Sequence, residues 1–359
     1  MDRKSFWSSP VKDFRWLALV LAAGLSASLT AKARADSKTM DPQWQAYKQR
    51  FISADGRLID DFAGNVSHSE GQGYAMLLAA YSDDRDGFDK IWGWTVANLQ
   101  IRDDGLAAWR WKPQDDPHVR DKNNATDGDL LLAWALAEAG RRWDAKTYDP
   151  AAAKIAHAIG GKLVYPSAFG PVLSPGVDGF GPKDRDDGPI VNLSYWVYPA
   201  FNALKRVAPD VDWTGLRHSG LMILDAAKFG SAKLPSDWIS LKAGVQPAQG
   251  YPARFGYDII RAPLYLAWGA PKERARLGAL VNAWAGPVDS TPPVVDLETG
   301  SSSESFVDPG YRAVAALARC AAQDEPFPAE LMTVDLKRYY PATLQMLSLV
   351  ALREGHFKC

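Results

Sequence analysis

Helical periodicity runs almost from end to end of this chain and limits what it can fold into more than any other feature. Apolar residues recur at three- and four-residue spacing over 41–53, 70–82, 86–99, 127–143, 149–163, 193–206, 213–228, 262–269, 273–285, 308–321 and 337–353. Alternating strand patterns are scarce and short. Eleven or twelve amphipathic segments arriving in pairs predict an all-α domain, because their apolar stripes must be buried against one another. A closed ring of helical hairpins or a superhelical stack would do this. No fixed-period repeat accompanies the pattern, which counts against a repeat array.

The first 35 residues stand apart. Lys4, Lys12 and Arg15 precede an apolar run from Trp16 to Leu29, and small residues follow, ending in Ala33-Arg34-Ala35. That is the layout of a secretory signal. It predicts a periplasmic or secreted protein whose mature part is 36–359. The run is short for a bilayer span of about 20 residues, and no later segment is longer, so no membrane insertion of the mature chain is expected. The signal holds six Lys/Arg and two acids; removing its +4 from the whole-chain −1 leaves about −5. That balance argues against nucleic acid or an anionic membrane as partner.

By length the remainder could form one domain or two. The connections 165–190 and 286–304 are long and rich in turn residues, but neither separates two self-sufficient segments, so a single domain is expected. Long loops within a compact domain are usually functional. Cys320 and Cys359 are the only cysteines. An exported chain permits a disulfide, but spacing alone does not decide whether they pair. No Cys/His cluster calls for a metal, and no cofactor is expected.

Three acids stand where helices begin. Glu70, in Ser69-Glu70-Gly71-Gln72-Gly73-Tyr74, shares a helical face with Tyr74, Leu77 and Tyr81. A carboxylate on a buried face is costly unless paired or neutralised, and the flanking glycines suggest a ligand close to the backbone. Asp127, in Thr126-Asp127-Gly128-Asp129, shares a face with Leu130, Leu131 and Trp134, while Asp129 points to solvent or a cap. Asp258 lies in Tyr257-Asp258-Ile259-Ile260-Arg261-Ala262-Pro263, just ahead of a helix that Pro263 suits in its first turn. Each acid has a blander reading: a dipole-complementing Glu, a cap, a surface Asp–Arg pair worth at most about 1 kcal/mol. Together they match a chemical need. Glycoside cleavage takes one protonated carboxyl for the leaving oxygen and a second carboxylate for water or for the sugar carbon. Burial or a like-charged neighbour would keep one proton in place.

These three segments, with Gly56-Arg57-Leu58-Ile59-Asp60 and Asn192-Leu193-Ser194-Tyr195, resemble the signature segments of glycoside hydrolase family 8, in the family's order. The chain looks most like the endoglucanases that accompany bacterial cellulose synthases. The resemblance implies an (α/α)6 barrel of six inner and six outer helices. It also implies an inverting mechanism with Glu70 as general acid and Asp258 as general base. Asp127 would hold the distorted sugar at the cleavage point, and Arg261 would orient or charge-balance Asp258. The chain departs from the pattern at Leu193, where the family more often has Pro, and at Ile259-Ile260 and Ala262.

Sugar rings present apolar faces to aromatic side chains and hydroxyls to polar ones. Tyr195, Trp109, Trp111 and Tyr257 are therefore candidate subsite aromatics, and Asn124, Gln72 and Arg254 candidate polar partners. The expected partner is a β-1,4-glucan, with a functional link to a cellulose synthase complex and a monomeric enzyme. Rivals are the same chemistry on chitosan, xylan or mixed-linkage glucan, a non-catalytic polysaccharide-binding barrel, and a helical-barrel lyase. A lyase usually wants a basic cleft, which a charge near −5 disfavours.

Overall fold

The structure is a computed structural model that describes residues 42–287, 290–302, 304–355 and 357–359. The signal segment lies outside the described residues. Eleven helices are described: α1 (42–51), α2 (Ser69–Tyr81), α3 (Arg85–Asn98), α4 (Thr126–Arg142), α5 (Asp149–Lys162), α6 (Tyr198–Leu204), α7 (Trp213–Ala226), α8 (Arg261–Gly269), α9 (Arg274–Trp284), α10 (Pro309–Gln323) and α11 (Tyr339–Glu354). All eleven fall on the periodic segments. None is long and apolar enough to cross a membrane among the described residues.

Two kinds of helix build the barrel. In α5 the buried residues are Ala152, Ile155, Ala156 and Ile159, a single stripe at helical spacing. Burying each isoleucine contributes about 1.5–3 kcal/mol; the other faces of α5 meet solvent. In α2, by contrast, every residue except Glu70 is buried, and in α4 every residue except Arg141 and Arg142. A helix apolar on all sides belongs inside. The inner ring runs α2, α4, α6, α8, α10, α11 and closes back on α2. Outside it stand α1, α3, α5, α7 and α9. Between α10 and α11, where a sixth outer helix would fit, the chain makes only a 3-10 turn, Ala329–Met332, against α10. This is an (α/α)6 barrel.

Side chains close the ring at its ends. Tyr47 of α1 hydrogen-bonds Thr343 of α11 at 2.6 Å, and Phe51 meets Tyr339 edge-on at 6.0 Å. Cys320 of α10 is bonded to Cys359, tying the C-terminus to the inner ring. The segment 193–206, read from sequence as one helix, is two: a 3-10 turn, Leu193–Tyr195, then α6. Trp196 and Val197 leave the helical region between them, and Pro199 suits the opening turn of the new helix.

The connections carry short antiparallel ladders. Ser67–His68 pairs with Arg110–Trp111, just before α2. Ile190–Val191, Ile239–Ser240 and Gln246–Pro247 form a second ladder. Arg254–Phe255 pairs with Pro293–Asp296, which pairs with Glu304–Ser305. Both long loops thus feed strands that brace the chain around residues 237–258.

Candidate active site: three carboxylates on one guanidinium

Four inner helices begin at the same end of the barrel, and their first turns or preceding turns supply the polar cluster. Glycine lets them approach. A Cβ on Gly128 of α4 would fall on the Ser69 hydroxyl and lie 2.7 Å from the Glu70 nitrogen, while one on Gly73 would strike Leu131. The small residues beside Glu70 and Asp127 therefore serve close contact of α2 with α4, which draws the two acids together. A Cβ on Gly71 would instead strike Leu58 and the Tyr339 hydroxyl, so packing against the protein, not a ligand, accounts for the glycines at 71 and 73, contrary to expectation.

Arg261, the first residue of α8, has a side chain only 3% exposed and joins the acids. Its Nη1 donates to Glu70 and, at 2.8 Å, to Asp127; its Nη2 lies 3.3 Å from Asp258 and donates to Ser194 Oγ at 2.8 Å. The guanidinium also lies 5.7 Å from the centre of the Tyr195 ring. Sharing one guanidinium caps the separation of the Glu70 and Asp258 oxygens at roughly 8 Å, so an acid and a base could face one bond across a water. Glu70 also accepts from the Tyr74 hydroxyl at 3.2 Å, and Tyr74 is held by Tyr265 at 2.7 Å.

One cation cannot neutralise three carboxylates. Burial pushes Asp127 up to about 7, against the Gly128 N–H that pulls it down. Asp258 also rises to about 7, through desolvation first and then the negative charges of Asp237 and Asp127. About a third of its side chain (36%) still faces the cleft, so water or substrate can reach it. Groups this close titrate together, and the cluster retains a proton near neutral pH that belongs to the set rather than to one residue. Helix N-termini favour the remaining negative charge.

Sequence reasoning missed the supports around Asp258. Trp238 donates its indole N–H to Asp258 Oδ2 at 3.1 Å. The indole is stacked between Phe180, at 5.7 Å and 7°, and Tyr251, at 4.6 Å and 15°. Buried Asp237 accepts from the backbone N–H groups of Gly256 and Ile259, both at 3.0 Å, and so fixes the turn that carries Asp258. Phe180 lies in the long loop flagged above; Trp238 had no motif to mark it.

Trp109 lies beside the acids, since its carbonyl accepts from the Ser69 N–H at 3.1 Å, and its indole N–H is held by Asp121 at 2.8 Å. Tyr257 is exposed on the rim, its hydroxyl 3.2 Å from Glu304. Arg254 is held by Asp237 at 3.2 Å. Other candidates are framework. Gln72 is fully buried, bonded to Leu58 N, Thr95 Oγ1 and the carbonyls of Gly56 and Ile91. Asn124 is buried with its oxygen on Val177 N and its nitrogen on Asp129. With every polar atom committed, neither can meet a sugar. Asp129 is itself fully buried and accepts from Ala107 N at 2.8 Å, so it does not point to solvent. Trp111 is half-buried and packed by Trp94, His118 and Arg57.

Paired carboxylates in a cleft at one end of a helical barrel define a class, the carboxylate-dependent glycoside hydrolases. Residues 11–354 match glycosyl hydrolases family 8, and the chain belongs to that family. It is 37% identical to the probable endoglucanase of Novacetimonas hansenii, over 88% of this chain and 92% of that protein. Among solved structures, the family 8 endoglucanase of Klebsiella pneumoniae is 38% identical, with a TM-score of 0.80 over 88% of this chain and 99% of that one. The endo-β-1,4-glucanase CMCax of Acetobacter xylinum is 35% identical, with a TM-score of 0.78 over 89% and 99%.

Proposed function

We propose that this endoglucanase hydrolyses internal β-1,4 bonds of a cellulose-type glucan with inversion, Glu70 acting as general acid and Asp258 as general base. The observation that carries the reading is the convergence of Glu70, Asp127 and Asp258, from three distant segments, on Arg261. Glu70 passes its proton to the glycosidic oxygen as the bond to the anomeric carbon breaks. Asp258 takes a proton from a water, whose oxygen bonds the anomeric carbon on the opposite face. Asp127 stays fixed by Arg261 and the Gly128 N–H, placed to hold the sugar at the point of cleavage.

The same reading extends to setting. The basic and apolar start ending Ala33-Arg34-Ala35 supports export, and the resemblance to endoglucanases of cellulose synthase systems supports a monomer acting on newly made glucan outside the cytoplasm. Viscometry of carboxymethylcellulose tests the internal cut: viscosity should fall well before reducing ends accumulate. Cleavage of chitosan or xylan with carboxymethylcellulose untouched would overturn the substrate.

The Trp238 contact gives a pH prediction. An N–H donated to a carboxylate favours the ionised form, so Trp238→Phe raises the pKa of Asp258 above its value of about 7. A base works only when deprotonated. The acidic limb of kcat/KM should therefore move to higher pH by about half a unit to one unit, the scale of one hydrogen bond. An unmoved limb would separate Trp238 from the base.

A further inference from the structure

A second polar layer lies one helical turn beneath the charged cluster. Tyr74 follows Glu70 by one turn on α2, and Tyr265 follows Arg261 by one turn on α8. Each tyrosine therefore shares a face with the charged residue above it. The two hydroxyls meet at 2.7 Å inside the ring, and both residues are fully buried. Among the described residues the Tyr265 hydroxyl has no other hydrogen-bond partner. The Tyr74 hydroxyl also reaches Glu70 Oε1, at 3.2 Å.

The protons of this chain have one consistent order. Each hydroxyl carries a single proton. When Glu70 is ionised its charge draws the Tyr74 proton, because a bond to a charged acceptor is the stronger one. The Tyr74 oxygen then accepts from Tyr265, and each bond polarises the next. Burial holds the Tyr74 hydroxyl well above its usual range and pushes Tyr265 up to about 12 against the pull of Arg261, so both remain donors. Other charges reach Glu70 from separate elements. Arg261 on α8 donates to the same Oε1, and Asp127 on α4 and Asp258 ahead of α8 share its guanidinium. Tyr340 on α11 bears on Tyr74, while His68, at the start of α2, is turned to Asp60 at 3.4 Å. With Arg261 and Tyr74 both on Oε1, the acid proton belongs on Oε2. Packing alone does not call for the two hydroxyls, since a buried bonded pair can be replaced by apolar groups of the same shape at little cost.

We infer that the buried Tyr265–Tyr74 pair positions and tunes the general acid: Tyr265 fixes the direction of the Tyr74 proton, and Tyr74 holds Glu70 Oε1 so that Oε2 carries the proton to be donated. The inference rests on the reading of Glu70 as general acid. Both tyrosines are positioning residues that act through Glu70, because neither hydroxyl is exposed to substrate. The pair also sets the pH at which the acid is lost. A hydrogen bond given to a carboxylate favours its ionised form, so without Tyr74 the acid keeps its proton to higher pH.

The test is the pH profile of kcat/KM on a soluble β-1,4-glucan. In Tyr74→Phe the basic limb should move up by about half a unit to one unit, the scale of one hydrogen bond, with KM nearly unchanged. Tyr265→Phe should move the same limb the same way by less, and should move it no further when added to Tyr74→Phe. Melting curves separate this from packing. Tyr74→Phe strands the buried Tyr265 hydroxyl and should melt below the wild type, while the double variant leaves no orphan and should recover. A basic limb that stays in place in the stable double variant, or a Tyr265→Phe shift that persists without Tyr74, overturns the pair alone. A Glu70→Gln enzyme that hydrolyses the glucan like the wild type overturns the acid assignment, and the pair with it.

Discussion

Glu70→Gln is expected to lower kcat on a β-1,4-glucan by about 10²- to 10⁴-fold, the contribution of a positioned general acid, with KM nearly unchanged. The amide keeps the size of the carboxyl and an oxygen for Tyr74 and Arg261, so the contacts that place residue 70 survive. The proton for the departing oxygen does not. The loss should shrink on an aryl glycoside with an acidic phenol, because that leaving group needs no protonation. Steady-state kinetics on both substrates checks this. Near-wild-type hydrolysis of carboxymethylcellulose would remove Glu70 as the acid, and an equal loss on both substrates would make it a structural residue instead.

Arg261→Met should be nearly as damaging and should also cost stability. The side chain is buried and contacts all three acids. Removing one partner of a buried ion pair typically costs about 3–5 kcal/mol. The sign of the pH effect follows from proton binding. Without the guanidinium the folded-state pKa values of Asp127 and Asp258 rise beyond their already raised values of about 7. The folded variant then holds protons that the unfolded chain has released above about 4. Its stability is retained at low pH and falls as pH rises toward the folded values. Melting curves should show a larger deficit at pH 8 than at pH 5, with kcat down at least about 100-fold as the acid and base lose their shared anchor. A deficit independent of pH would mean that Arg261 fills space rather than balances charge.

Much of this was legible in the sequence because periodicity reports burial directly. Every periodic segment but 193–206, which is broken into a 3-10 turn and α6, became a single helix, and the signature segments brought forward the three acids that converge on Arg261. Partner identity inside the core was not legible. Gln72 and Asn124 sit in motif segments beside catalytic acids, yet their amides satisfy backbone groups, because a loop folded inward leaves N–H and carbonyl groups that need partners. Asp129 looked exposed by angle on α4, but α4 is an inner helix with no solvent face along most of its length. Periodicity within one helix cannot say how many neighbours surround it. Glycines 71 and 73 looked like room for a ligand and are room for Leu58 and Tyr339 and for a neighbouring helix. Trp238 was invisible for another reason: a ladder pairing Ile190–Val191 with Ile239–Ser240 positions it, and two-residue strands leave no alternating pattern to read.

The most direct test of an acid and a base acting across a water is the configuration of the first product. Proton NMR during the opening minutes of cello-oligosaccharide hydrolysis, before mutarotation mixes the anomers, should show the α-anomer appearing first at the new reducing end. The β-anomer appearing first would mean that a carboxylate attacks the sugar itself, and would contradict the assignment of Asp258 as a base.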